Sequence, residues 1–233
     1  MCTSFTVRGE SILTAMNFDN AMPFNIKKNS NQFVILADTG RGKYPSFGVN
    51  SDGTFINNLT VGSNGKGLYK RAGKNVTHTS KLTADILSET IPANEITSYL
   101  EKTEVVNIPD FSIHNMIADK NGNVWIVEPG RGFIYSPSDE SPYFLMTNFS
   151  LYDMKKTGEL QGDGIFRYET AKKLLDKKSK LDVNSAFRIL DAVTQNDGDS
   201  PTVLSMVYSQ KENTVYYCLN RNFDNIMKHY FSL

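Results

Sequence analysis

The sequence has little cysteine, little histidine, no excess of either charge and no long apolar run. Its 233 residues include two cysteines, Cys2 and Cys218. So few cysteines indicate reduced thiols rather than a disulfide framework. A disulfide between them would join the two ends of the chain, and Cys218 is interpreted instead as a small buried apolar residue.

Charge and hydropathy argue against a nucleic-acid-binding protein and against a membrane protein. The 25 Lys and Arg residues balance 25 Asp and Glu residues, and no basic stripe indicates a nucleic-acid surface. No segment approaches the ~20 apolar residues that a spanning helix requires, and no apolar signal segment follows the first residues. We therefore expect a cytoplasmic protein that binds neither nucleic acid nor membrane. The sequence is compatible with a homo-oligomer as well as with a monomer.

The histidines show no metal-binding pattern. His78 and His229 have no carboxylate or thiol pattern near them in the sequence. His114 is interpreted as a structural hydrogen-bonding residue. We therefore expect no metal and no cofactor.

The composition that remains, 39% hydrophobic and 21% charged, is typical of a globular protein. Apolar periodicity predicts helices over 79–90, 94–102 (with Asn94 as N-cap), 164–177 and 184–194. It predicts strands over 2–7, 11–18, 33–37, 47–59, 111–119, 124–128, 133–136, 144–148, 202–209, 215–219 and 226–231, with turns inside some of them. Residues 21–31 are predicted as a loop, and 62–73 as a loop that lies over a site.

This order places pairs of helices between groups of antiparallel strands. Such an order does not build a doubly wound parallel sheet. It favours two antiparallel sheets packed face to face with helices outside. We therefore predict an α+β fold, a four-layer αββα sandwich, with a single domain over residues 1–233.

The start of the chain holds the candidate nucleophile. If Met1 is removed, Cys2 carries a thiol with a pKa of roughly 8.5 and an amine with one of about 7.7–8. One residue then holds both a nucleophile and a base. The predicted first hairpin ties this residue into a sheet, and Asp19 follows the second strand, within reach of it. The alternative is a cysteine near the start with no catalytic role.

Several short motifs share one order with a known family. They are Met1-Cys2-Thr3, Asn17-Phe18-Asp19, Gly48-Val-Asn-Ser-Asp-Gly53, His114-Asn-Met-Ile-Ala-Asp119 with Val124-Trp-Ile-Val-Glu128, and Met146-Thr147-Asn148. With them, the chain resembles the N-terminal-nucleophile hydrolases that cleave linear amides. This group includes choloylglycine hydrolases, penicillin V acylases and acyltransferase-like C45 peptidases. The resemblance covers essentially the whole chain and implies their four-layer sandwich fold.

The resemblance also implies roles for individual residues. Cys2 would be the nucleophile, with its own amine as the base. Asp19 would hydrogen-bond that amine, and Asn148 would donate its side-chain amide to the oxyanion. Asn75 falls about where the family has a second oxyanion donor. Arg167 would lie near the thiol and lower its pKa, as a nearby cation does.

The sequence departs from the family at Met16, where the family usually has an arginine. The expected function is a cysteine amidohydrolase that cleaves a linear, non-peptide carbon–nitrogen bond of an N-acyl small molecule through a thioester. One alternative is an acyltransferase that uses the same catalytic residues. The other is a catalytically weakened, ligand-binding homologue.

Overall fold

A computed structural model describes residues 1–40, 42–177, 180–196 and 198–231. The strands are β1 (Cys2–Val7), β2 (Leu13–Asp19), β3 (Phe24–Lys28), β4 (Gln32–Asp38), β5 (Lys43–Asn50), β6 (Phe55–Asn57), β7 (Leu59–Thr60), β8 (Val76–His78), β9 (Glu104–Val106), β10 (Ile113–Ala118), β11 (Val124–Glu128), β12 (Gly132–Ser136), β13 (Tyr143–Met146), β14 (Thr202–Ser209), β15 (Thr214–Leu219) and β16 (Met227–Tyr230). The α-helices are α1 (Thr79–Leu87), α2 (Ile96–Lys102), α3 (Leu151–Thr157), α4 (Ile165–Asp176) and α5 (Val183–Ala192). No helix in these residues is both long and apolar enough to cross a membrane.

The strands form two main sheets, both antiparallel. The six-stranded sheet has the order β13-β1-β2-β14-β15-β16. The eight-stranded sheet has the order β12-β11-β10-β6-β5-β4-β3, and β7 pairs with β10. Strands β8 and β9 form a small parallel pair beside them. The first strand of the chain is therefore an inner strand, with a partner on each side.

The two sheets pack face to face, and helices cover both outer faces. The apolar layer between the sheets includes Met16, Phe18 and Met206 from one sheet and Phe33, Phe47 and Met116 from the other. Helices α4 and α5 cover the six-stranded sheet, packing Ala171, Ala186 and Leu190 against Phe5, Ala15 and Val207. Helices α1 and α2 cover the eight-stranded sheet, packing Leu82, Ile86 and Ile96 against Val34, Ile56 and Ile117. The predicted α+β four-layer sandwich is confirmed.

Burial on both faces explains how the N-terminal strand is held. Every residue of β1 is buried, because one face meets the other sheet and the opposite face meets the helices. Polar side chains in it find partners within the first hairpin: Ser4 Oγ donates to the Ala15 carbonyl and Thr6 Oγ1 pairs with Thr14 Oγ1. The register places Cys2 opposite Phe18. Cys2 is thereby fixed at the end of an inner strand.

Several sequence-based assignments differ from the structure, and the short parallel strands β8 and β9 were not predicted either. The loop predicted over 21–31 is wrong, because Phe24–Lys28 forms edge strand β3. Helix α3 was not predicted, since Leu151 is its only buried residue. The helix predicted from Asn94 begins at Ile96, after a 3₁₀ turn, and Asn94 does not cap it.

Candidate active site

Cys2 lies at the edge of a cavity of about 350 Å³. Its side chain is buried, and its Sγ lies 4.0 Å from the main-chain carbonyl of Asp19. That carbonyl also accepts a hydrogen bond of 3.2 Å from the Met1 amine. The cavity walls are mainly apolar and include Met22, Tyr44, Pro45, Ile108, Phe111 and Ile113.

Asn148 holds the main-chain nitrogen of Cys2. The Cys2 N–H donates to Asn148 Oδ1 at 2.7 Å, and Arg167 Nη2 donates to the same oxygen at 2.8 Å. Because both neighbours are donors, the atom between them must be the amide oxygen. The amide nitrogen therefore points the other way, towards Thr60 on the cavity wall, and donates to its carbonyl at 2.8 Å and its hydroxyl at 3.1 Å.

Arg167 reaches Cys2 from the helical layer. It is buried on α4. One terminal nitrogen donates to the Cys2 carbonyl at 2.5 Å and to Thr3 Oγ1 at 3.0 Å, and it lies 3.5 Å from Asp19 Oδ2. A positive charge thus lies beside the candidate nucleophile, where it opposes the rise in thiol pKa that burial causes.

The Asp19 carboxylate is held by three side chains. Oδ1 accepts from Thr202 Oγ1 at 2.6 Å, and Oδ2 accepts from Gln195 Nε2 at 2.8 Å and faces Arg167. Burial raises the pKa of Asp19 to about 6, although the Thr202 hydrogen bond and the Arg167 charge act against this rise. With Met1 attached, the main-chain carbonyl of Asp19 accepts the terminal amine.

With Met1 attached, the Cys2 thiol is not activated. Burial raises the pKa of the thiol to about 11, outweighing the opposing effect of the terminal amine. The Cys2 nitrogen is part of a peptide bond, whose lone pair is delocalised and accepts no proton at neutral pH. A base on the same residue exists only once that peptide bond is cleaved.

Asn75 does not join this group. It is exposed, and its carbonyl accepts the main-chain N–H of Glu104. It lines a different cavity, together with Thr103 and Arg131. The structure therefore brings Cys2 together with the three other predicted residues, but not with Asn75.

Asn58 and Thr60 line the Cys2 cavity and were not identified from the sequence. Asn58 is held by Asn115 Nδ2, which donates to its Oδ1 at 2.7 Å. Its own amide donates to the Pro45 carbonyl at 2.8 Å. Both side chains reach the cavity because β7 pairs with β10, a pairing that no local pattern reveals.

The predicted loop over 62–73 lines an adjoining groove instead of the cavity itself. Ser63, Leu68 and Tyr69 form one side of this groove. Ile108 and Phe111 line both spaces. The groove and the cavity are thus continuous past these two side chains.

Met16 is fully buried in the layer between the sheets, in the same apolar cluster as Cys2. It pairs across the sheet with Ser4 and Met206. The position where the family usually has an arginine is therefore part of the apolar core. Among the described residues, no group of three or more His, Cys, Asp or Glu side chains is placed to hold a metal ion.

Solved structures match this fold, whereas no family model and no curated protein matches the sequence. A mutant of conjugated bile acid hydrolase from Clostridium perfringens has a TM-score of 0.75 at 15% identity, over 98% of this chain and 92% of that one. Penicillin V acylase from Agrobacterium tumefaciens has a TM-score of 0.69 at 17% identity, over 97% of this chain and 85% of that one. The Caenorhabditis elegans ortholog of N-acylethanolamine-hydrolyzing acid amidase has a TM-score of 0.59 at 16% sequence identity, over 90% of this chain and 93% of that one. The chain shares the fold of these enzymes. The resemblance to the N-terminal-nucleophile hydrolases is confirmed at the level of the fold.

Proposed function

We propose that this protein is a cysteine amidohydrolase that cleaves the linear amide bond of an N-acyl small molecule after Met1 is removed. The observation that carries the proposal is the environment of Cys2. Its nitrogen is held by Asn148 at 2.7 Å, Arg167 lies against its carbonyl, and its thiol is next to a cavity. The named activities of the structural neighbours, all of which cleave amides, support the same reaction class.

The first half of the reaction forms a thioester. The free amine of Cys2 takes the thiol proton, and the sulfur attacks the carbonyl carbon of the substrate. The electron pair of the carbonyl moves to its oxygen. The side-chain amide of Asn148, which donates to Thr60 in the absence of substrate, turns to donate to this oxygen. When the carbonyl re-forms, the C–N bond breaks and the Cys2 ammonium passes its proton to the leaving amine.

The second half releases the acyl group. Water enters in place of the amine, and the Cys2 amine removes one of its protons as the C–O bond forms. The C–S bond then breaks, and the thiolate recovers a proton. Asp19 and Arg167 keep opposite charges near Cys2 throughout and take no covalent part.

The cavity supports an apolar acyl group. Its volume of about 350 Å³ lies within the ~300–1,000 Å³ that is typical of small-molecule sites. Aromatic and aliphatic side chains such as Phe18, Tyr44 and Phe111 line it. Asp19, Asn58 and Thr60 are among the polar residues that line it.

A panel of N-acyl amides with varied acyl chains tests this function. We expect release of the amine by the wild-type protein and none by Cys2→Ala. Cys218→Ala is the matched control, because Cys218 is buried beneath α5 and lines none of the cavities described above. Intact mass spectrometry during turnover should show an acyl adduct on Cys2.

The products distinguish the alternatives. Free acid as the only acyl product, with and without an added amine, indicates a hydrolase. A new amide in the presence of the added amine indicates an acyltransferase. Saturable binding with neither an acyl adduct nor product would contradict the proposal and indicate a ligand-binding protein.

A further inference from the structure

Asn148 lies on a short connection between two elements. Strand β13 ends at Met146 and helix α3 begins at Leu151, with Ser150 as its N-cap. Side chains on such connections keep one position only when the backbone on both sides is held. Two buried residues outside the cavity, His114 and Glu128, hold it.

His114 holds the backbone just before Asn148. It lies on β10, fully buried, and its Nε2 is 2.9 Å from the Thr147 carbonyl oxygen. Because a carbonyl oxygen can only accept, Nε2 must carry the hydrogen of this bond. The bond fixes the peptide group that joins Thr147 to Asn148.

Glu128 holds the backbone just after Asn148. One carboxylate oxygen accepts from the Leu151 N–H at 2.8 Å, and the other accepts from Ser150 Oγ at 2.5 Å. Ser150 Oγ in turn accepts the Asp153 N–H at 3.0 Å and caps α3. Glu128 therefore anchors the first turn of this helix.

The two anchors are joined to each other. His114 Nδ1 lies 3.5 Å from Glu128 Oε1, an ion-pair distance, and the two side chains are 0% and 1% exposed. The two ring nitrogens thus face the Thr147 carbonyl oxygen on one side and the Glu128 carboxylate on the other. Arg131 Nε lies 3.7 Å from the other carboxylate oxygen and also pairs with Asp153. Glu128 is therefore in contact with His114, Arg131 and the first turn of α3 at once.

We propose that His114 and Glu128 are positioning residues for Asn148 and, through it, for the nitrogen of Cys2. Neither residue lines the Cys2 cavity. They act by fixing the Thr147 carbonyl on one side of Asn148 and the start of α3 on the other. The inference rests on the proposed amidase function for its kinetic readout.

The kinetic test compares two substitutions at one position. His114→Leu removes the hydrogen bond to Thr147, and we expect kcat to fall about 10- to 100-fold while KM changes little, because misplacing a catalytic group costs on this scale. His114→Gln places an amide N–H near Nε2 and should restore kcat to within about threefold of wild type. His229→Leu, on β16, is the matched control and should leave kcat unchanged.

A double variant tests whether the effect passes through Asn148. If it does, His114→Leu in the Asn148→Ala background should lower kcat no further. Equal multiplicative losses in both backgrounds would overturn the inference. So would equal losses in His114→Leu and His114→Gln.

A readout that needs no activity separates this inference from the proposed function. In protein labelled with ¹⁵N-asparagine, the side-chain amide of Asn148 should be protected from hydrogen exchange, because it donates to Thr60. His114→Leu should remove that protection, and His114→Gln should keep it. Unchanged protection in His114→Leu contradicts the inference, whereas failure to cleave any amide contradicts the proposed function alone.

Discussion

At the scale of single residues, the protonation of Asp19 should make the activity of the candidate site depend on pH. Its carboxylate faces Arg167 and lies near the N-terminus, and burial raises its pKa to about 6. The role proposed for it needs the charged form, which is lost as pH falls below this value. We therefore expect kcat/KM to fall, below pH ~6, by about tenfold more per pH unit than protonation of the Cys2 amine alone causes, as one further protonation predicts.

Two variants test whether Asp19 causes this fall of kcat/KM at low pH, the acid limb of the pH profile. Asp19→Asn should lower kcat/KM and remove the limb near pH 6. Asp52→Asn, at an exposed carboxylate paired with Lys120, should keep the wild-type profile. A limb that persists in Asp19→Asn would assign it to another group.

Asn148 and Asn75 give a matched pair of substitutions. Asn148 contacts the Cys2 nitrogen, whereas Asn75 lines a separate cavity. Asn148→Ala should lower kcat by about 10²–10³ with a modest change in KM, as loss of an oxyanion donor does. Asn75→Ala should leave both constants unchanged. A comparable loss in Asn75→Ala would reinstate its predicted role.

Four of the five candidate site residues that the sequence indicated lie together in the structure. Cys2, Asp19, Asn148 and Arg167 each lie at the end of a predicted strand or on a predicted helix, where motif order is informative. Asn75 lies between the loop predicted over 62–73 and the helix predicted from residue 79, where no periodicity fixes its position. Contacts such as Cys2 with Asn148, 146 residues apart, follow from sheet pairing and not from local pattern.

At the scale of elements, strand β2 shows why Met16 is apolar. Its side chain is fully buried between the sheets beside Cys2 and Phe18. Met16→Arg would place a charge there without a partner of opposite sign, so we expect a loss of several kcal/mol in the free energy of unfolding. Met16→Leu conserves volume and should cost less than about 1.5 kcal/mol.

Urea unfolding of both variants measures this difference. In the arginine variant, alkylation of Cys2 per folded molecule should be faster, because disturbed packing exposes the thiol and an added positive charge lowers its pKa. Wild-type stability in Met16→Arg would mean that the site still accepts the arginine of its relatives.

Two of the elements that sequence analysis missed, β3 and α3, have few buried residues. In β3, Asn25, Lys27 and Lys28 are exposed and Pro23 precedes the strand, so its alternation resembles a polar loop. In α3, the cap by Ser150 and the anchor by Glu128 replace an apolar face. Long-range contacts stabilise both elements, and a local pattern cannot report them.

At the scale of the whole molecule, helix α2 stabilises the fold and contributes no residue to the wall of the Cys2 cavity. Ile96 on α2 is buried against the eight-stranded sheet. Ile96→Ala should cost about 2–5 kcal/mol in the free energy of unfolding. Its kcat should stay at the wild-type value at temperatures where it is folded.

Denaturant unfolding and kinetics on the same samples test whether Ile96→Ala lowers stability without lowering kcat. The exposed Glu101→Ala on the same helix is the control and should alter the free energy of unfolding by less than about 0.5 kcal/mol. A large fall in kcat in Ile96→Ala, with the protein still folded, would mean that the outer layer is coupled to the site.

The central claim is that Cys2 becomes a nucleophile when its nitrogen is freed. The most direct measurement is intact mass and peptide mapping of two preparations, one with the native start and one with a fixed extension before Met1, each treated with limiting iodoacetamide during an activity assay. We predict that the native-start protein lacks Met1, is alkylated first at Cys2 and loses amidase activity in proportion, whereas the extended protein is inactive and resists alkylation. Full activity with Met1 retained, or activity that survives complete alkylation of Cys2, would contradict the account.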